Sequence, residues 1–372
     1  WSRLETALRR AGVITRLDAT LGQIRSLGAT LRASEWHVAV AVEAHRDDDG
    51  AARLICVCSA AEAAEIPFCG IAVDIGTTTV TVWLVDLATG RVLHQASEYN
   101  QQISRGEDVI SRIIYGSKGS GGEELQRLVL GTINGLVEAA CSRTGVAADH
   151  IVKATIGGNS TMMHLLLGIP PESIRLEPFV PAINHLPSLR AGDVGIAMHP
   201  DGLVDPLPGV ASYVGADITA GVLASGMRDG SETSLFIDVG TNGEMVLGSA
   251  DWLVTCACSA GPAFEGAGIA HGMRADRGAI EEVWIDGSTY EPTSRVIGNA
   301  APEGICGSGL ISLVAEMFLT GILDKGGNID LTLDTSRVRR SRSGGEYVLA
   351  WADESATGED IVITTVDVDN LL

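Results

Sequence analysis

Two short stretches carry residue types that together suit one kind of chemistry. Residues 71–86 read IAVDIGTTTVTVWLVD and residues 235–248 read LFIDVGTNGEMVLG. In each, an alternating apolar strand ends in Asp-x-Gly-Thr and a second strand follows, the period-two pattern of a β-hairpin with one buried face. Gly76, Thr77, Thr78 and Thr79 offer backbone N–H groups and hydroxyls, and glycine lets the chain come close to a ligand, so such a turn can cradle phosphate oxygens. Asp74, at the end of the incoming strand, could hold Mg2+ through its waters, as a hard cation at a phosphate site prefers. One Asp-x-Gly-Thr is weak evidence, since an ordinary hairpin explains it as well. The second copy, with Asp238, Gly240, Thr241, Asn242 and Gly243 in matching places, points to a duplicated unit whose turns could face each other across a cleft.

The elements that must position these turns can be read on either side of them. Residues 1–66 read as a separate small α+β unit: helices over 4–11 and 17–31, strands over 36–42 and 54–57, and a turn at 47–50. Nothing in it asks for chemistry, so it reads as a scaffold or docking module. Pro67 marks the boundary. After the first hairpin come a third strand (92–95), a helix from Asp108, a flexible GSKGSGG break, a long amphipathic helix (123–143), and a strand (152–156). That strand ends in Gly157-Gly158-Asn159-Ser160 and opens a helix over 161–167, whose N–H groups could meet an anion or simply be capped. The order β-β-β-α-β-α is that of a ribonuclease-H-like lobe. Residues 170–208 hold eight of the twelve prolines, a tract that reads as partner-facing, with a short strand expected at 194–198. A helix over 213–226 places Asp217 near its middle and leads into the second hairpin. Beyond lie strands over 252–257 and 280–285, a glycine-rich segment containing Gly261 and Glu265, and Gly304-Ile305-Cys306-Gly307-Ser308-Gly309 opening an apolar helix. The chain's last residues read as a strand and the first turn of a helix that is cut off.

Composition narrows the function classes. The 372 residues allow two ordinary domains plus a small one, and 45% apolar residues are enough for real cores. A net charge of −21 argues against a nucleic-acid partner. The run Arg337, Arg339, Arg340, Arg342 reads as a solvated surface segment. No apolar run reaches the length of a membrane span and no signal peptide is visible. Seven cysteines form no C-x-x-C pair, so they read as reduced thiols in a cytoplasmic protein, with Cys256 and Cys258 a buried pair on one strand face.

The stretches IAVDIGTTTV, GEDVISRIIYG, IGGNSTMMHLLLG, YVGADITAG, IDVGTNGEM, AGPAFEGAGI and PEGICGSGLI together resemble the actin/Hsp70/sugar-kinase ATPase superfamily, and within it the reductive activators of corrinoid proteins. The resemblance runs from Gly70 to about Asp324. It implies an α/β fold of two ribonuclease-H-like lobes, residues 67–230 with the proline-rich insertion 170–208 and residues 231–372. Residues 1–66 look like the family's middle domain, and the C-terminal helices of the second lobe look truncated.

The resemblance further implies an ATPase that returns a methyltransferase's corrinoid from Co(II) to Co(I), with its electron drawn from a [2Fe–2S] cluster in an N-terminal ferredoxin-like domain absent here. It implies a corrinoid protein as partner and a homodimer. By position, Asp74 and Asp238 would face Mg2+, while Gly76, Thr77, Thr78, Thr79, Gly240, Thr241, Asn242 and Gly243 surround the phosphates of ATP. Gly261, Glu265, Gly307, Ser308 and Gly309 would line the nucleotide, and Asp217 or Glu244 would position the attacking water. The alternatives are a small-molecule kinase of the same superfamily, an activator of 2-hydroxyacyl-CoA dehydratases, and a nucleotide-dependent scaffold.

Overall fold

The computed structural model describes residues 1–44, 50–65, 67–240, 242–259, 268–342 and 344–371. The fold is mixed α/β, and backbone contacts divide the chain into two units, 1–229 and 230–372. Among the described residues no helix is long and apolar enough to cross a membrane.

In the first unit, strands Cys69–Ile75, Thr79–Asp86 and Val92–Tyr99 form an antiparallel meander. Ile151–Gly158 joins Cys69–Ile75 in parallel, Leu203–Pro206 follows in parallel, and Leu189–Arg190 closes the far edge. The strand bearing Asp74 is thus interior to a six-stranded sheet. Its alternate residues Ile71, Val73 and Ile75 are buried, as are Val80, Val82 and Leu84 on the return strand. The long helix Gly121–Thr144 buries Leu125, Val129, Ile133, Leu136 and Val137 in the same core, the three-and-four spacing of one helix face. This is the expected ribonuclease-H-like order.

The N-terminal segment has its expected first helix and two strands, Ser2–Arg10, Val38–Ala44 and Ala51–Ser59, and departs from its periodicity at Leu17. Leu17 belongs not to a helix but to the strand Arg16–Asp18, which runs parallel to Ala51–Ser59 and buries Leu17. The helix begins only at Leu21, because Thr20 and Gln23 form a reciprocal capping box: Gln23 N–H donates to Thr20 Oγ1 at 3.2 Å, and Thr20 N–H to Gln23 Oε1 at 2.8 Å. Lys153 ties this piece to the sheet, pairing with Glu43 on Val38–Ala44 and with Asp205 at 2.6 Å.

Within the proline-rich tract the strand expected at 194–198 is replaced by a helical turn, Ala191–Val194, after which Ile196 N–H folds back onto Ala191 O at 3.2 Å. His164 pins the tract. Its Nε2 accepts the Ala182 N–H at 3.0 Å, which leaves Nδ1 to donate to Ser160 O at 2.6 Å, and burial lowers its pKa so that the ring stays neutral.

The second unit holds three small sheets among its described residues. Ser234–Val239, Asn242–Ser249 and Trp252–Ser259 form the second hairpin and its outer strand. Leu235, Ile237, Leu247 and Val254 share one face of this sheet and are 44–61% exposed. Cys256 continues that face and Cys258 follows it, so both thiols are exposed rather than buried as their apolar surroundings suggested. The helix Gly307–Leu319 packs instead on Ala279–Ile285 of a second sheet, sharing a core with Ile280, Val283, Leu310, Leu313 and Met317.

The arginine run is solvated at Arg339, Arg340 and Arg342, as expected, but not at Arg337. Arg337 is buried, donates to Glu291 Oε2 at 2.7 Å and lies 4.9 Å over the Trp351 ring, while Arg339 pairs with Glu346 and Asp360. Removing one partner of a buried ion pair costs roughly 3–5 kcal/mol, and Glu291 is half exposed, so Arg337→Ala should cost about 2–3 kcal/mol in urea unfolding. A variant as stable as its parent would contradict this packing.

Candidate functional site

The first turn is closed by its own backbone. Gly76 N–H donates to Thr79 O at 2.9 Å, and a Cβ on Gly76 would lie 2.6 Å from that oxygen, so no other residue fits without opening the turn. Asp74 sits exposed just before it, opposite Thr81 in the ladder. Behind the turn, three consecutive carbonyls are held: Gly76 O by Asn100 Nδ2 at 3.0 Å, Thr77 O by Arg112 Nη2 at 2.5 Å, and Thr78 O by the Asn100 N–H at 2.8 Å. Because a trans peptide is planar, each held carbonyl sends the next N–H the opposite way. The N–H groups of Thr77 and Thr78 are therefore aimed away from Asn100 and Arg112.

Two further elements meet this turn. Asn159 N-caps Ser160–Leu166 through its Oδ1, so that helix is a capped one, and its Nδ2 donates to Thr77 Oγ1 at 3.0 Å. Asp217 lies in the first turn of Ala216–Ser225 rather than at mid-helix, because the helix starts three residues later than its small apolar residues suggest. Its Oδ1, Gly158 O and Asn159 Cα crowd round Gly215, where a Cβ would stand 2.7, 2.7 and 2.4 Å from them. Asp74, Gly76–Thr79, Asn159 and Asp217 thus belong to one corner of the first unit.

In the second unit, Gly240 N–H donates to Asn242 O at 2.8 Å, the counterpart of the Gly76 clasp. The loop is one residue shorter: Asp238 pairs with Glu244, six positions on, where Asp74 pairs with Thr81, seven on. Asp238 and Glu244 are direct cross-strand neighbours, an arrangement that repels when both are charged and that a cation relieves. Asp238 is exposed by area, yet protein packed around its carboxyl displaces enough water to push its pKa up. Gly243 is buried opposite Cys258. Gly309 is buried and packed so closely on Ile280 that an added Cβ would stand 2.2 Å from Ile280 O, whereas Gly307 is half-buried and Ser308 exposed. Thr241, Gly261 and Glu265 lie outside the described residues.

Arg112, Asn100 and Gln102 are fully buried polar residues that pattern reading did not select. Arg112 was visible in one respect: it lies three residues after Val109 and beside Ile113, on the buried side of Val109–Gly116, where a charge requires partners.

Hard carboxylate oxygens beside oriented N–H groups fit a magnesium–phosphate ligand. Mg2+ keeps several waters, so one or two carboxylates suffice, and among the described residues no three His, Cys, Asp or Glu side chains gather around a metal. The seven cysteines are free and do not fit a four-sulfur cluster.

Residues 69–230, rather than the expected residues 1–66, match the family model described as the RACo middle region, and residues 232–372 match the C-terminal domain of RACo, the ASKHA domain. A corrinoid activation enzyme, RamQ of Eubacterium limosum, is 37% identical over 82% of this chain and 52% of its own length. A [Co(II) methylated amine-specific corrinoid protein] reductase of Methanosarcina barkeri is 33% identical over 32% of this chain and 26% of its own. A solved structure of a reductive activator for corrinoid,iron-sulfur protein superposes with a TM-score of 0.88 at 47% identity, covering 100% of this chain and 58% of that one. The chain spans about half the length of the first of these relatives.

Proposed function

This chain belongs to the RACo family, through both its middle region and its ASKHA domain, and from that premise we propose that it is the nucleotide-binding part of an ATP-dependent reductive activator of a corrinoid protein. The observation that carries the reading is the pair of Asp-x-Gly-Thr hairpins, each clasped by its glycine N–H. Asp74 and Asp238 would hold Mg2+ through its waters. Gly76, Thr77, Thr78, Thr79, Gly240, Thr241, Asn242 and Gly243 would contact phosphate oxygens. Gly261, Glu265, Gly307, Ser308 and Gly309 would serve the rest of the nucleotide, and Asp217 or Glu244 would orient water for hydrolysis. When bound, Mg2+ would neutralise charge developing on the phosphates.

The reaction to be driven is the reduction of Co(II) to Co(I) in a partner's corrinoid, with the electron supplied by a [2Fe–2S] cluster expected in a ferredoxin-like domain N-terminal to this chain. A one-electron transfer loses about a factor of ten in equilibrium for each 59 mV uphill. ATP can help only by favouring an arrangement in which the corrinoid is easier to reduce. The whole protein is read as a cytoplasmic homodimer.

The test uses the whole protein, cluster domain included, with reductant, MgATP and a corrinoid protein. The Co(II) absorption should give way to that of Co(I) only when ATP is hydrolysed. ATP hydrolysis with cobalt unchanged, or phosphate transferred to an alcohol, would reject the reading.

A further inference from the structure

The first turn does not set its own direction. All three carbonyls of Gly76, Thr77 and Thr78 are tethered from the segment that follows the meander, two by Asn100 and one by Arg112. We propose that Arg112 is the positioning residue of this turn: with Asn100 it presets the Thr77 and Thr78 N–H groups toward the phosphate, and its buried charge favours an anion there. This rests on the reading that the turn binds phosphate.

Three observations support a positioning role over a purely structural one. First, the guanidinium is locked. Its Nε donates to Gly106 O at 2.8 Å, Nη1 to Gln102 Oε1 and Met162 Sδ at 3.3 Å each, and Nη2 to Thr77 O at 2.5 Å. Gln102 is locked in turn, through Nε2 to Leu125 O at 2.8 Å and through its N–H to Asn100 Oδ1 at 3.1 Å. A reactive geometry is held when a residue's own partners are fixed in this way. Second, the site is an expensive place for a cation. Arg112 is 0% exposed, and an apolar residue would join Val109–Gly116 to its surroundings at lower desolvation cost. Third, a positive charge directly behind an anion-facing turn acts through little water, in a chain whose net charge of −21 otherwise repels a polyphosphate.

The experiment compares the whole protein with its Arg112→Met, Arg112→Lys and Asn100→Asp variants. Melting temperature is measured alongside MgATP affinity at a temperature where each is folded. Arg112→Met should bind MgATP about ten- to a hundredfold more weakly, the order of loss when a hydrogen bond from a charged group is removed. Arg112→Lys restores charge without the fork and should recover part of that loss. Asn100→Asp turns the donor to Gly76 O into an acceptor, and should weaken binding about tenfold even if Arg112→Met does not fold. Hydrogen exchange over 76–79 without nucleotide should quicken in all three. A lowered melting temperature with unchanged affinity in the folded variants would mean that Arg112 only braces the fold, and would overturn the proposal while leaving the phosphate reading intact. A parent protein that does not bind MgATP would fail the reading, and the proposal with it.

Discussion

Asp238→Asn should reduce MgATP turnover by about a hundredfold or more, yet the variant should melt no lower than its parent at pH 7. The loss follows from the proposed metal role, since charge stabilisation by a bound cation is worth several kcal/mol, and each 1.36 kcal/mol is a factor of ten in rate. The retained stability follows from the partial desolvation of the carboxyl. Asp238 has a raised pKa because surrounding protein desolvates its carboxyl, and Glu244 stands directly across the ladder. For a carboxyl whose folded pKa lies above its unfolded one, the stabilising contribution is fully present below the unfolded pKa. It is lost as pH rises through the folded pKa. At neutral pH the ionised side chain is therefore a cost to the fold, and the amide removes it. Melting temperature recorded from pH 4 to 8 should show a shallower decline in Asp238→Asn than in the parent. Full turnover in the variant would remove Asp238 from the site, and a lower melting temperature at pH 7 would mean that its carboxylate is held by partners that stabilise it.

The two hairpins were legible because the sheet face imposes period two, and an interrupted alternation with Asp-x-Gly-Thr has few other foldings. The helix Gly121–Thr144 was legible for the same reason, since its apolar residues recur at helical spacing. What failed were the places where a specific partner overrides periodicity. Leu17 continues a helical pattern with Leu21 and Ile24, but the Thr20–Gln23 box and the pairing with Ala51–Ser59 put it in a strand. Arg337 reads as surface until Trp351 and Glu291 enclose it. Cys256 and Cys258 read as core until their sheet face proves exposed. The same limit applies at the site. Asp74 and the turn residues announce themselves by type, whereas Arg112 and Asn100 act through main-chain carbonyls, which every residue has and no motif records.

The corner that joins Asn159, Asp217 and the first turn makes a second strong prediction, at Gly215. Its backbone is extended, with φ −89° and ψ −167°, so alanine meets no conformational bar there. The bar is space, because a new Cβ would stand 2.4 Å from Asn159 Cα, well inside contact distance of main chain that cannot swing aside. Overpacking of this kind costs typically about 1–3 kcal/mol. Gly215→Ala should lose stability in that range and should also weaken MgATP binding, since moving Asn159 releases Thr77 Oγ1 and moving the helix start carries Asp217 with it. Gly135 supplies the control. It lies in the exposed face of Gly121–Thr144 with nothing within 4 Å of an added Cβ, so Gly135→Ala should gain about 0.5–1 kcal/mol through lower unfolded-state entropy and leave binding unchanged. Urea unfolding of the two variants beside the parent, with MgATP titrations of each, separates the effects. Equal stability and equal affinity in Gly215→Ala would show that the corner has room to spare, and that neither Asn159 nor Asp217 is held where the first turn needs it.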